Sequence, residues 1–346
     1  MGSSAPATVV SEIRRAHQRA DGSAAVLGIG TATPPNCVPQ DGYVDYYFRV
    51  TNSDHLTDLK AKLDRICNKS GIKQRFIHLT EEIVAANPDF TDRASPSLDA
   101  PVDITFAAVP ELAESAAAKV IAEWGRPATE ITHLVFSTGS AGVTPENQPH
   151  GLPHHAQPPR LRRRGQVAPA RQGYRREQRG ARVLVACSEV TLIAFYGPGD
   201  GCLDHILGQA LFGDGDGDGA VIVPRLLGSN VERCLIDALD ELGVSARWND
   251  LFWAIHHGGR AILDRIEGVL GLDESELAAS RHVLSEFGNM SSTTVIYVLD
   301  ELRRRRAAKQ DGGEAPEWGV MMAFRPGITI ETMVLRAPAA SLMEGN

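Results

Sequence analysis

The run FWAIHHGGRAILD, from Phe252 to Asp264, constrains the fold of this chain more than any other stretch. Its apolar, partly aromatic opening reads as a short buried strand. Two histidines and two glycines follow, and after Gly259 the pattern reads as a helix start. A histidine at a strand end, beside glycines that admit a second backbone or a ligand, is a place where chemistry can be built. By itself the stretch fits a core histidine before an ordinary turn equally well.

A second stretch, LSEFGNMSSTTVIYVLDELRRR from Leu284 to Arg305, shows a loop with Gly288, Asn289 and Ser291 and then a helical pattern. An asparagine amide and a neutral imidazole N–H aimed at one carbonyl oxygen make an oxyanion hole. Taken alone, Asn289 reads better as a turn or cap residue.

Elsewhere helices alternate with buried strands, which implies an α/β architecture. Leu56–Lys69 is expected to be an amphipathic helix, with Lys62, Arg65 and Lys69 at i, i+3 and i+7 on one face. Spacing alone favours a solvated basic face there. A helix is expected over Val102–Trp124, and strands over Ile131–Ser137 and Val183–Ser188. Ala25–Gly30 (AVLGIG) reads as a buried strand, and its Gly28 and Gly30 supply only half of a dinucleotide fingerprint. SEIRRAHQRADG near the start reads as a polar helix, AVIV (220–223) as a strand, and GVMMAFRPGITIETMVL as a closing hairpin.

A net charge of −8 on 346 residues argues against a general nucleic-acid or anionic-membrane binder. No apolar run reaches membrane-spanning length and the first thirty residues carry no signal-peptide core, so the cytoplasm is expected. The five cysteines, Cys37, Cys67, Cys187, Cys202 and Cys234, have no regular spacing and fit a reducing compartment. Asp214, Asp216, Asp218 and Gly219 imitate the start of a calcium loop, but its twelfth position is Arg225, so no metal is expected.

Between 144 and 178 the texture changes to Pro, Arg, Gln and Gly with almost no apolar periodicity. Such a segment is expected to be disordered and outside the core. At Gly180 the pattern resumes with ARVLVACSE. One permitted back-translation of Ala168–Gln178, stepped by one base, reads LRLAKDIAEN, a well-patterned helix. A shifted reading frame, in the gene or its annotation, is therefore expected.

FWAIHHGGRAILD, RHVLSEFGNMSS, GQALFGDG, RICNKSGIKQRFIHLTEE, ASPSLDA and ITHLVFSTGS together resemble the plant type III polyketide synthases, the chalcone synthase group. ADGSAAVLGIGTATPPN, TNSDHLTDLK and WNDLFWAIH look closest to the grass curcuminoid-synthase type. The resemblance implies a thiolase-like fold of duplicated αβαβα halves, here 1–223 and 224–346. It implies a dimer, with itself or with paralogues, and substrates malonyl-CoA and an aromatic acyl-CoA, with no further cofactor. It assigns His256 and Asn289 as catalytic, Lys62, Arg65 and Lys69 as contacts to coenzyme A phosphates, and Phe195 and Ser291 as gating and cavity residues. His257 stands where the family usually has proline and is not expected to be a second catalyst.

Two departures decide what the chain can do. The family's nucleophilic cysteine begins a helix that falls in the anomalous segment, and no cysteine here matches it. Val223 runs directly into PRLLGSNVERCLIDALDELG, where the family has a further piece of sheet, so the C-terminal half is expected to be incomplete. Arg325 replaces a usual glycine in a cavity loop. A ketoacyl synthase III-type condensing enzyme shares the Cys–His–Asn logic, but the basic face and GNMSS favour the plant group. A non-catalytic paralogue acting as a dimerisation partner stays open. An RNA binder using the nine arginines between Arg160 and Arg182 is disfavoured by overall charge and the lack of interleaved aromatics.

Overall fold

The computed structural model describes residues 24–88, 99–138, 180–190, 192, 195, 197–198, 218–308, 315–325 and 329–337. In chain order its elements are β1 (Asn36–Pro39), α1 (Tyr43–Val50), α2 (Thr57–Lys69), β2 (Gln74–Ile77), α3 (Glu81–Ala86), α4 (Asp99–Trp124), β3 (His133–Ser137) and β4 (Val183–Cys187). There follow α5 (Asp218–Asp240), β5 (Phe252–Ile255), α6 (Arg260–Leu270), α7 (Ala278–Phe287), α8 (Thr294–Ala308), β6 (Trp318–Arg325) and β7 (Thr329–Arg336). The chain divides into a unit of residues 1–32, 110–138 and 144–188 and a larger unit of 33–109, 139–143 and 189–346. The expected N-terminal helix and the anomalous segment lie outside the described residues.

In the smaller unit β3 and β4 pair in parallel, His133 opposite Val183 through Ser137 opposite Cys187. Both strands form where the sequence places them, because each is a short run of β-branched and apolar residues. The expected strand Ala25–Gly30 does not form. Its backbone lies along α4 instead: Ile29 N–H donates to Glu123 Oε2 at 3.3 Å, and Lys119 Nζ donates to the Thr31 carbonyl at 2.7 Å. A Cβ on Gly30 would stand 2.2 Å from the Ala116 carbonyl oxygen, so this glycine serves close backbone approach. Val26 and Leu27 stay 63% and 56% exposed.

In the larger unit β5 pairs with β6 in parallel and β6 with β7 antiparallel. Trp253, Ala254 and Ile255 are fully buried, as a near-continuous apolar strand requires. On the side of β5 away from β6, Ile255 N–H donates to Ser280 Oγ of α7 at 3.3 Å. Around Trp253 gather Leu263 and Ile266 of α6, Leu284 of α7, and Ile72 from the chain just after α2. α2 buries Leu63, Ile66 and Cys67 and turns its basic positions outward. The expected closing hairpin is present as β6 and β7.

AVIV (220–223), expected as a strand, is helical within α5. Leu227, Val231, Leu235 and Leu239 recur every four residues and are all buried. That stripe drives a helix, and Val223 is joined to it with no turn between. The helix propagates back through AVIV despite Pro224, which lacks the N–H for an intrahelical bond. α5 thus crosses the 223/224 boundary assigned from sequence.

Candidate active site

His256 follows the last residue of β5. Its backbone N–H donates to the Met322 carbonyl at 2.8 Å, which continues the β5–β6 ladder by one residue and fixes the strand end. Its half-buried ring lies 6.3 Å from the Phe324 ring and 5.8 Å from the His257 ring, nearly parallel to the latter at 15°. Burial pushes its pKa from 6.5 down to about 4, so at neutral pH it is an uncharged imidazole with one N–H to give. No cysteine among the described residues is hydrogen-bonded to it.

His257 is fully buried, and neither ring nitrogen has a hydrogen-bond partner. Burial, and then the neighbouring His256, hold its pKa well below 6.5.

Gly258 adopts φ +59°, and a Cβ there would meet Ile262 Cδ1 at 2.7 Å and His256 Nε2 at 3.8 Å. Both the conformation and the space call for glycine. The Gly258 carbonyl accepts from Asn289 Nδ2 at 3.0 Å. Asn289 Oδ1 in turn accepts the Ser291 N–H at 2.9 Å, an Asx turn that sets the amide plane. The two stretches singled out in the sequence therefore meet, and the joint is the carbonyl two residues after His256.

Ser291 holds φ +56°, one of two non-glycine residues with positive φ among those described, so the loop carries strain beside Asn289. The next residue, Ser292, donates its hydroxyl to Glu189 Oε1, which ties the loop to the chain just after β4. Sequence reasoning missed this contact, since Glu189 and Ser292 lie in separate motifs. Phe324 was also missed, although its place opposite the β5 end follows once β5 and β6 pair.

Lys62, Arg65 and Lys69 fall on the outer face of α2 as expected; Arg65 and Lys69 are exposed and Lys62 half-buried. Lys62 and Arg65 make no ion pair with a described residue, whereas Lys60 of the same helix is committed to Asp45 and Asp54. Phe195 is only 9% exposed and packs edge-to-face on Tyr47 at 5.7 Å. This is a core contact with α1, and nothing described joins Phe195 to His256 or Asn289.

Cys37 is exposed and Cys67 is buried in α2, where burial pushes its thiol pKa up. Cys187 ends β4, Cys234 lies in α5, and Cys202 is outside the described residues. No group of three His, Cys, Asp or Glu among the described residues could hold a metal ion. Nor is any described helix long and apolar enough to cross a membrane.

A neutral imidazole at a strand end and an amide held two residues on are groups suited to reactions in which a carbonyl oxygen gains charge, the shared demand of acyl transfer and enolate formation. That is the chemistry of the condensing acyltransferases. The chain belongs to the chalcone and stilbene synthase family, whose N-terminal domain matches residues 10–148 and 171–225 and whose C-terminal domain matches residues 220–339. It is 46% identical over 383 residues to bisdemethoxycurcumin synthase of Oryza sativa subsp. japonica, covering 94% of this chain and 95% of that protein. The resemblance seen in the sequence is thus borne out. The family is that of the type III polyketide synthases, acyltransferases of thiolase-like α/β fold that condense malonyl-CoA with acyl-CoA. The interval 149–170, between the two matched parts of the N-terminal domain, falls inside the anomalous stretch.

Proposed function

We propose that this chain binds malonyl-CoA and an aromatic acyl-CoA, and that it decarboxylates malonyl-CoA without extending a polyketide. The observation that carries this reading is the Asn289–Gly258 hydrogen bond, which holds the asparagine amide beside the His256 strand end. Malonyl-CoA would place its thioester oxygen against the His256 and Asn289 N–H groups. The bond between the malonyl carboxylate and Cα breaks, carbon dioxide leaves, and the electron pair moves onto the thioester as an enolate. The two donors stabilise the enolate oxygen. Without an acyl-enzyme to attack, the carbon takes a proton from water and acetyl-CoA departs.

A neutral His256 supports this reading. A histidine paired with a thiolate is held as imidazolium, whereas one pushed to about 4 by burial is a neutral donor at pH 7. The starter is taken as aromatic because the relative is a curcuminoid synthase. In this reading Lys62, Arg65 and Lys69 hold the coenzyme A phosphates, and Ser291 shapes the cavity beside Asn289. Phe195 keeps the gating role the resemblance implies, with its ring packed edge-to-face on Tyr47 at 5.7 Å.

We further propose two family halves, 1–223 and 224–346, with the second shortened. The alignment spans 383 residues against a chain of 346, so the relative carries stretches with no counterpart here. A dimer, with itself or with an intact paralogue, follows the family habit.

The test is incubation with coumaroyl-CoA and radiolabelled malonyl-CoA, separating products from released carbon dioxide. Carbon dioxide without polyketide, lost in His256→Ala, is the expected result. Polyketide product would overturn the absence of a nucleophile, and neither signal from folded protein would leave a non-catalytic paralogue.

A further inference from the structure

We propose that Arg260 is a fourth cation of the coenzyme A site, lying between the basic face of α2 and His256 and reading the diphosphate rather than the 3′-phosphate. The proposal rests on the reading that α2 holds coenzyme A.

Arg260 opens α6, four residues after His256. A Cβ on Gly71 would lie 3.7 Å from Arg260 Cδ, so the arginine runs over the chain just beyond the end of α2. Gly71 comes two residues after Lys69, which is roughly 7 Å of chain at most. The arginine therefore lies beside the end of the helix that carries Lys62, Arg65 and Lys69.

Its charge is available. Arg260 Nε stands 3.4 Å from Asp264 Oδ2, and the arginine side chain is 55% exposed. Asp264 Oδ1 is held more closely by Arg281 Nη1, at 2.7 Å, and Arg281 also grips Glu267 at 2.9 Å. An exposed, loose pair of this kind is a weak competitor for a guanidinium. The first turn of α6 has no acidic residue, and the nearby Asp264 carboxylate is paired with Arg281.

The ligand's layout assigns the phosphate. In coenzyme A the diphosphate joins the pantetheine arm to the adenosine, and the 3′-phosphate sits on the far ribose. The arm must carry its thioester to His256, so the diphosphate is assigned to Arg260, the cation four residues from that histidine in the chain. Arginine suits that task because its planar fork takes two phosphate oxygens at once.

The experiment is calorimetric titration of the full chain with coenzyme A and with 3′-dephospho-coenzyme A at fixed ionic strength. Wild type, Arg260→Ala, Arg260→Lys, Lys62→Ala and Lys69→Ala are compared, each with its thermal midpoint. Arg260→Ala is expected to weaken both ligands about equally, by about 5- to 20-fold. Arg260→Lys should recover part of the loss, which a merely structural role would not require. Wild-type affinity in Arg260→Ala, with Lys62→Ala and Lys69→Ala weakened, overturns the proposal and leaves the α2 site intact. A loss confined to the ligand bearing the 3′-phosphate overturns the diphosphate assignment. Lysine variants that bind like wild type overturn the α2 reading itself.

Discussion

Replacing His257 with leucine should make the protein more stable and less acid-sensitive. The ring is fully buried and both nitrogens lack partners. A neutral imidazole has one donor and one acceptor, and each buried unmet group costs about 1–3 kcal/mol. Leucine removes both and costs about 1 kcal/mol for the change of shape beside His256. The net gain at pH 8 is on the order of 1–5 kcal/mol. The pH dependence is the sharper readout. His257 is held well below 6.5 in the fold, so the unfolded chain binds its proton first on acidification. Its contribution is complete above pH 6.5 and falls as pH drops, at about 1.4 kcal/mol per pH unit for one proton. His256 adds a comparable share to the slope down to about pH 4. Urea unfolding at pH 8 and pH 5.5 measures both effects, and His257→Leu should roughly halve the loss between the two. A variant less stable at both pH values, with an unchanged loss, would mean that the ring is already satisfied by an enclosed partner, and the reasoning would fail.

Gly258→Ala should cost about 1–2 kcal/mol, because φ +59° becomes strained. It should also slow carbon dioxide release, since the shifted carbonyl is the one that holds Asn289; urea unfolding and the release assay read the two separately. Asn289→Asp puts a carboxylate against the Gly258 carbonyl that now accepts from Nδ2. The expected loss is about 1–3 kcal/mol at pH 8, shrinking at pH 4 where the acid can donate again, with release of carbon dioxide down at least about 100-fold. Ser291→Gly should relieve the φ +56° conformation and raise stability by up to about 1 kcal/mol, seen as a higher melting temperature.

Much of the larger unit was legible in the sequence because its elements are locally consistent. The apolar run ending at Ile255 forms a strand in any context that buries it, and the α2 stripe of Leu63, Ile66 and Cys67 fixes which face Lys62, Arg65 and Lys69 present. AVLGIG and AVIV were misread because a strand also needs a neighbour. AVLGIG found hydrogen bonds on α4, and AVIV was captured by the helix that follows it. The Gly258 joint was invisible because a carbonyl carries no side-chain signature. Arg260 read only as a helix start until Gly71 lay beside it.

The parts of the site that survive belong together for a physical reason. His256, Gly258, Asn289 and Ser291 are bound through backbone groups of the β5 end and the loop before α8, and their geometry is fixed by the Trp253 core and the β5–β6 ladder. All of those supports lie among the described residues of the larger unit. Under the proposed loss of the nucleophile, that scaffold still holds the Asn289 amide beside the His256 strand end. The same proposal changes what the histidine does: without a thiolate beside it, a ring in that place would gain nothing from a proton. Under that reading the ring acts as a hydrogen-bond donor alone, which is what an enolate oxygen asks of it.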